Sequence, residues 1–190
     1  YMENTLTIDK VASRDQAFSA ANEFALLTRN LDKVPVGGFR ETISGFQDLV
    51  WRYRQFEQAL KDSNDKRRFD ADKCIAACKG FHYLVDRYTD LIDSKSLRLR
   101  IVHNDTKINN ILFDSGTRKA VCVIDLDTLM PGYFFYDLGD MVRTFVSPVS
   151  EEEKDYSKIE FRREIYDSLL AGYLGQMKPV MSADELAAVP

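Results

Sequence analysis

From Asp9 to Leu31, apolar residues recur at Val11, Phe18, Ala21, Phe24, Ala25, Leu27 and Leu31. That spacing predicts one amphipathic helix over residues 9–31. Lys33 to Asp48 carries Pro35, Gly37, Gly38 and Gly45 and reads as a loop. Leu49, Tyr53, Phe56 and Leu60 predict a short second helix, closed by the polar run Asp62-Ser63-Asn64. A long helix is expected from Asp70 to about Asp93, with Cys74, Cys78, Phe81, Val85, Tyr88 and Ile92 on one face. The period then changes. Leu97, Leu99 and Ile101 alternate with Arg98 and Arg100, as in a strand. Residues 110–114 and 119–126 predict a hairpin around Ser115-Gly116. Asp137 is placed to cap a helix running through Met141, Val142 and Phe145. Residues 159–176 read as another helix, and Ser182 with Glu185 forms a capping box opening a last one. The expected fold is α+β and mainly helical: a helical part (1–95), a small β-rich segment (96–150), then C-terminal helices (151–190).

At 190 residues the chain suffices for one well-cored domain or a large lobe of a bigger protein. It runs from Tyr1 to Pro190, stopping just after a helix start, so we expect a piece of something longer. No apolar run approaches the roughly 20 residues of a membrane helix, and no signal-peptide pattern opens the chain. A net charge of −4 offers no basic surface for nucleic acid or anionic lipid. The three cysteines do not suggest a disulfide framework, and a cytoplasmic setting is expected. Cys74, Cys78 and His82 lie at i, i+4 and i+8, so on one helix the outer two are about 12 Å apart. One zinc ion with bonds of about 2.3 Å is not expected to take all three. The thiols are expected to pack in a helix interface.

Chemistry concentrates between Ile101 and Phe145. His103-Asn104-Asp105-Thr106-Lys107-Ile108-Asn109-Asn110 fits H-x-D-x-x-x-x-N, the pattern of a phosphotransferase catalytic loop. Phosphoryl transfer needs a carboxylate to orient the attacking hydroxyl and a metal to neutralise phosphate charge. Asp105 is the candidate base. Asn110, across a tight loop, offers an amide oxygen to a hard cation, and Asp125 follows the buried-type strand Val121-Cys122-Val123-Ile124. Mg²⁺ is commonly held by one or two protein oxygens plus phosphates and water, so Asn110 and Asp125 suffice. Lys107 can reach the transferred phosphate as a point charge. Asp127 shares a face with Asp125 if the strand continues, and could hold a second ion or a metal-bound water. His103 is expected to shape the loop. Asp137 either caps its helix or braces the loop backbone.

These residues, with Tyr136-Asp137-Leu138-Gly139-Asp140-Met141-Val142-Arg143, resemble the aminoglycoside phosphotransferase and choline kinase superfamily, and more narrowly the bacterial N-acetylhexosamine 1-kinases. The resemblance implies the C-terminal lobe of a protein-kinase-like fold. We expect its nucleotide-binding N-lobe to be absent from this chain, in which no Gly-rich loop is followed by a strand lysine, so this piece alone is expected to be inactive. It implies ATP as co-substrate, Mg²⁺ as cofactor and a small-molecule substrate, with phosphorylation of the anomeric hydroxyl of an N-acetylhexosamine. Asp105 would be the base, with Asn110 and Asp125 on the metal. Tyr136 and Arg143 are candidate substrate contacts. A choline, aminoglycoside or homoserine type of acceptor is the same-chemistry alternative, and a non-catalytic binding module with this fold is the alternative of another class.

Overall fold

Ser13 sets the start of the first helix. Its backbone is extended (φ −146°, ψ 161°) and its hydroxyl accepts a hydrogen bond from the Gln16 N–H, so α1 runs Arg14–Leu31. That is later than the expected start near Asp9, yet Val11 is still buried. Apolar spacing reports burial, and the cap decides where helical geometry begins. The computed structural model describes residues 2–150 and 152–189.

The buried face of α1 is Ala17, Ala20, Ala21, Phe24, Ala25 and Thr28. These mostly small side chains let α7 (Arg163–Met177) approach backbone to backbone. At the tightest point, a Cβ built on Gly172 would lie 2.3 Å from the Phe18 carbonyl oxygen. A carbonyl in a helix cannot rotate aside, so the helices must separate to admit a methyl group. We expect Gly172→Ala to cost about 2 kcal/mol net, because overpacking of about 3 kcal/mol, the upper end for so close a backbone approach, outweighs a helix-propensity gain of about 1 kcal/mol. The melting temperature should fall by roughly 4–8 °C. A thermal melt showing no fall would place the two helices farther apart than this.

α6 (Phe134–Phe145) adds Phe134, Leu138, Met141 and Phe145 to the same core. Arg162 finishes it. Its guanidinium donates to the carbonyls of Phe145 (2.7 Å), Val146 (3.0 Å) and Val11 (2.9 Å), satisfying the orphan acceptors at the helix C-terminus with a positive charge.

Two small antiparallel sheets accompany the helices. In the first, β3 (Ile111–Asp114) pairs with β1 (Thr5–Leu6) on one side and β4 (Ala120–Val123) on the other, with an irregularity between Leu112 and Phe113. The second pairs β2 (Arg100–Val102) with β5 (Met130–Gly132), in the register Arg100 to Gly132 and Val102 to Met130. The predicted hairpin is present. β1 and β5 were not legible, being two and three residues long.

The alternation at 97–101 would put Arg100 on the polar side, but Arg100 is buried. It is held there by Asp32 (3.2 Å) and by Glu185, with the Val180 carbonyl at 2.7 Å. Glu185 is also the third residue of α8 (Ala183–Ala187), where it completes the capping box with Ser182. One carboxylate thus both starts the last helix and neutralises a buried cation.

The chain divides into two compact units, residues 1–42 with 99–190, and residues 43–98. Everything above belongs to the first. The second is helical: α2 (Leu49–Asp62), capped by Asp48, then α3 (Asp65–Asp70), α4 (Asp72–Gly80) and α5 (Tyr83–Asp93). The expected single helix from Asp70 to Asp93 is therefore two, α4 and α5, and α3 precedes them. Asn64 caps a start earlier than Asp70. The chain turns at Ala71 (ψ 9°) and at Phe81 (ψ 10°), the latter next to Gly80, a poor helix former. Cys74 and Cys78 are exposed, which overturns their expected burial in a helix interface. His82 instead meets Tyr53 edge to face, ring centres 4.7 Å apart. α7 likewise starts at Arg163 rather than Ile159, because a short 3-10 turn at Tyr156–Lys158 precedes it. Among the described residues no helix is long and apolar enough to cross a membrane.

Candidate active site

The H-x-D-x-x-x-x-N loop leaves β2 at Val102 and re-enters the first sheet at Ile111. A loop carrying this many polar groups keeps one shape only if its backbone is anchored, and α6 supplies the anchor. Asp137 is not the N-cap of α6, which is Tyr133; it lies inside the first turn. Its two oxygens accept the N–H groups of His103 (3.0 Å) and Asn104 (2.7 Å). Burial pushes the Asp137 carboxyl above the usual carboxylate range, against the pull of those two amides. Asn104 adopts a left-handed backbone (φ 66°), tolerated by Asn, and its side chain donates to the Thr128 carbonyl at 3.1 Å. Thr128 answers by donating to the His103 carbonyl at 2.7 Å.

His103 is buried, with Phe24 packed edge-on at 5.2 Å. Its Nδ1 accepts the Asp105 N–H at 3.3 Å, so the ring proton is assigned to Nε2, 3.1 Å from the Ile124 carbonyl. The imidazole therefore ties the loop to the residue before Asp125. Ile124 is held a second time, its N–H donating to the Asn110 carbonyl at 2.9 Å.

These ties bring Asp105, Lys107 and Asn110 together. The Asp105 side chain is 26 % exposed, with Lys107 Nζ 3.3 Å from Oδ1 and Asn110 Nδ2 3.0 Å from Oδ2. Asn110 Nδ2 also donates to the Asp105 carbonyl at 2.8 Å. With its amide protons committed to Asp105, Asn110 has Oδ1 left as its acceptor.

β4 ends at Val123. Asp125 itself is left-handed (φ 59°, ψ 66°), and residues 126–128 form a 3-10 turn. Strand alternation therefore does not carry Asp127 to the face of Asp125, contrary to expectation. Both carboxylates are exposed. The Asn110 carbonyl is bonded to Ile124, the residue before Asp125, and the side-chain oxygens of Asn110 and Asp125 are each of the kind a hard cation such as Mg²⁺ takes.

Arg143 and Tyr136 separate. Arg143 lines a cleft of about 640 Å³ together with Lys107, Ile108 and Asn109 of the loop. Tyr136 packs over Gly132, where a Cβ would meet its ring at 2.8 Å, and edge-on against Tyr133 and Phe135, within an aromatic group outside the cleft lining.

Asp140 and Thr106 were not singled out from the sequence. Asp140 Oδ2 accepts the Thr106 N–H at 2.6 Å, and the Thr106 hydroxyl donates to the Asp137 carbonyl at 2.9 Å. The signal was present in the spacing: Asp140 follows Asp137 by three residues, so both face the loop from one side of α6.

We expect Asp137→Asn to lower the melting temperature by several degrees and to reduce any activity of the loop. Asparagine has one acceptor oxygen, so one buried amide loses its partner at a cost of about 1–3 kcal/mol. An unchanged melt would mean that one of the two amide bonds contributes nothing.

A chain with this loop, braced from the following helix, has the organisation of a phosphotransferase. The profile of the phosphotransferase enzyme family matches residues 5–179, and the chain belongs to that family. Among solved structures it is similar to an aminoglycoside-3'-phosphotransferase of type VIII, at 18% identity and a TM-score of 0.45, over 96% of this chain and 63% of that one. The chain thus spans less than two thirds of that protein's length.

Proposed function

We propose that this chain carries the phosphoryl-transfer site of an ATP-dependent small-molecule kinase. The observation that carries the reading is the loop itself: Asp105 is held between Lys107 and Asn110, and Lys107 also lines a cleft large enough for a small acceptor. The acceptor hydroxyl would lie against Asp105, which orients it and takes its proton as the oxygen–phosphorus bond forms and the bond to the leaving ADP breaks. Lys107, on its flexible stem, would move from Asp105 to the transferred phosphoryl group. Asn110 and Asp125 would hold Mg²⁺, which when bound neutralises charge on the nucleotide phosphates. Asp127, on its exposed turn, would at most hold a water of that ion. A further lobe of the same protein would cover the nucleotide.

For the acceptor we propose an N-acetylhexosamine, phosphorylated at its anomeric hydroxyl. The motif resemblance from His103 to Arg143 supports this, and Arg143 on the cleft wall can donate to a sugar hydroxyl or amide oxygen. The test is a coupled ADP-release assay on the full-length protein with Mg²⁺ and ATP. Its acceptors are N-acetylglucosamine, N-acetylgalactosamine, glucose, choline and an aminoglycoside. Turnover with an N-acetylhexosamine, lost when the 1-hydroxyl is blocked, is the expected result. Turnover with choline or an aminoglycoside alone would keep the chemistry and replace the acceptor. No turnover, with no Mg²⁺-dependent ATP binding either, would leave a non-catalytic binding module.

A further inference from the structure

The two oxygens of Asp140 face different partners. Oδ2 holds the loop, accepting the Thr106 N–H at 2.6 Å and lying 3.2 Å from the Thr106 hydroxyl. Oδ1 holds Arg143, accepting from Nη2 at 2.6 Å and Nε at 3.2 Å. The Asp140 side chain is only 9% exposed, whereas that of Arg143 is 52% exposed and lines the cleft. Thr106 is the residue next to Asp105. A single, mostly buried carboxylate thus stands between Arg143 of the cleft and the backbone that carries the candidate base.

We propose that Asp140 is a positioning residue that couples acceptor contact at Arg143 to the placement of Asp105. This rests on the reading of Asp105 as the base. The physical basis is shared occupancy. A carboxylate that accepts from two sides cannot move toward one donor without lengthening its bonds to the other. An acceptor oxygen that draws the guanidinium into the cleft pulls on Oδ1. Oδ2 follows, and with it the Thr106 amide and the carboxylate one residue earlier. The Asp140 side chain is short and its bonds to Arg143 and to the Thr106 amide are charge-assisted, so it passes on a displacement of the guanidinium. The device would make turnover depend on which acceptor fills the cleft, beyond how tightly it binds.

The test is a double-mutant cycle in the intact protein, with Arg143→Ala, Asp140→Asn and the two together. It reads kcat, acceptor KM and nucleotide affinity separately, with a thermal melt for each variant. Arg143→Ala should raise acceptor KM and also lower kcat, leaving nucleotide affinity within about twofold. Asp140→Asn keeps the shape and one acceptor oxygen but weakens the link, so it should lower kcat more than it changes KM. The double variant should lose less kcat than the product of the single losses, by about five- to tenfold, because each substitution breaks the same connection. If Asp140→Asn does not fold, Arg143→Lys keeps the charge but not the two-bonded grip on Oδ1. It should then lower kcat nearly as much as Arg143→Ala. Multiplicative losses, or a kcat unchanged in Arg143→Ala or Arg143→Lys, would overturn the coupling while the kinase reading stands. No turnover by the unsubstituted protein with any acceptor would remove both.

Discussion

Asp105→Asn should cut turnover by about 10²- to 10⁴-fold, the range a positioned general base contributes, while Mg²⁺-dependent nucleotide binding stays near that of the unsubstituted protein. The substitution is nearly silent structurally. Asparagine at 105 can still accept from Asn110 Nδ2, now 3.0 Å from Oδ2, and its backbone N–H still meets His103 Nδ1. The bonds of Asp137 to residues 103 and 104 do not involve the side chain at all. What disappears is the negative charge, and with it the proton-accepting oxygen and the ion pair to Lys107. ADP release and calorimetric nucleotide binding, measured on one preparation, separate these outcomes. Unimpaired turnover would take the base role away from Asp105.

Asp125→Ala should abolish Mg²⁺-dependent nucleotide binding, leaving whatever weak affinity the nucleotide has without metal. Asp125 is the only anionic member of the proposed pair, and a neutral amide oxygen from Asn110 alone is a poor site for a divalent ion. The left-handed backbone at 125 adds a second consequence. Alanine lacks the local hydrogen bonding that lets Asp and Asn tolerate that conformation, so the turn should also be destabilised, by about 1 kcal/mol. Asp125→Asn keeps the conformational tolerance and serves as the control: it should retain the melt and still lose most of the metal-dependent binding. Normal Mg²⁺·ATP affinity in both variants would remove the metal role.

Much of this architecture can be read from spacing. The hairpin around Ser115-Gly116, the capping box at Ser182, the helix from Leu49 and the loop from His103 to Asn110 are all set by neighbours within a few residues. The misses share a physical origin in long-range contacts. Arg100 is polar by type and buried in fact, because Asp32 and Glu185 reach it from far along the chain. β5 contains Pro131 and exists only because β2 pairs with it. Asp137 looks like a cap, and its carboxylate instead serves amides more than thirty residues away. The breaks at Ala71 and Phe81 went unseen because a continuous apolar period says nothing of where the helix axis turns. At the site, residue types marked Asp105, Asn110 and Asp125, while the role of Asp140 needed the fold to bring Thr106 beside it.

The interleaving of the two compact units bears on how the protein is made. Residues 43–98 leave the ribosome as one uninterrupted stretch and can collapse on their own contacts. The larger unit cannot, since its first 42 residues must wait for residues 99–190. The alanine face of α1 has no α7 to meet until roughly 130 more residues have been added, about 6–26 s at ordinary elongation rates. Throughout that interval a nascent chain displays Phe24 and its apolar neighbours to solvent. The first helix is therefore the segment on which a chaperone should act, and slowing elongation downstream of residue 98 should increase aggregation during synthesis without altering the finished protein.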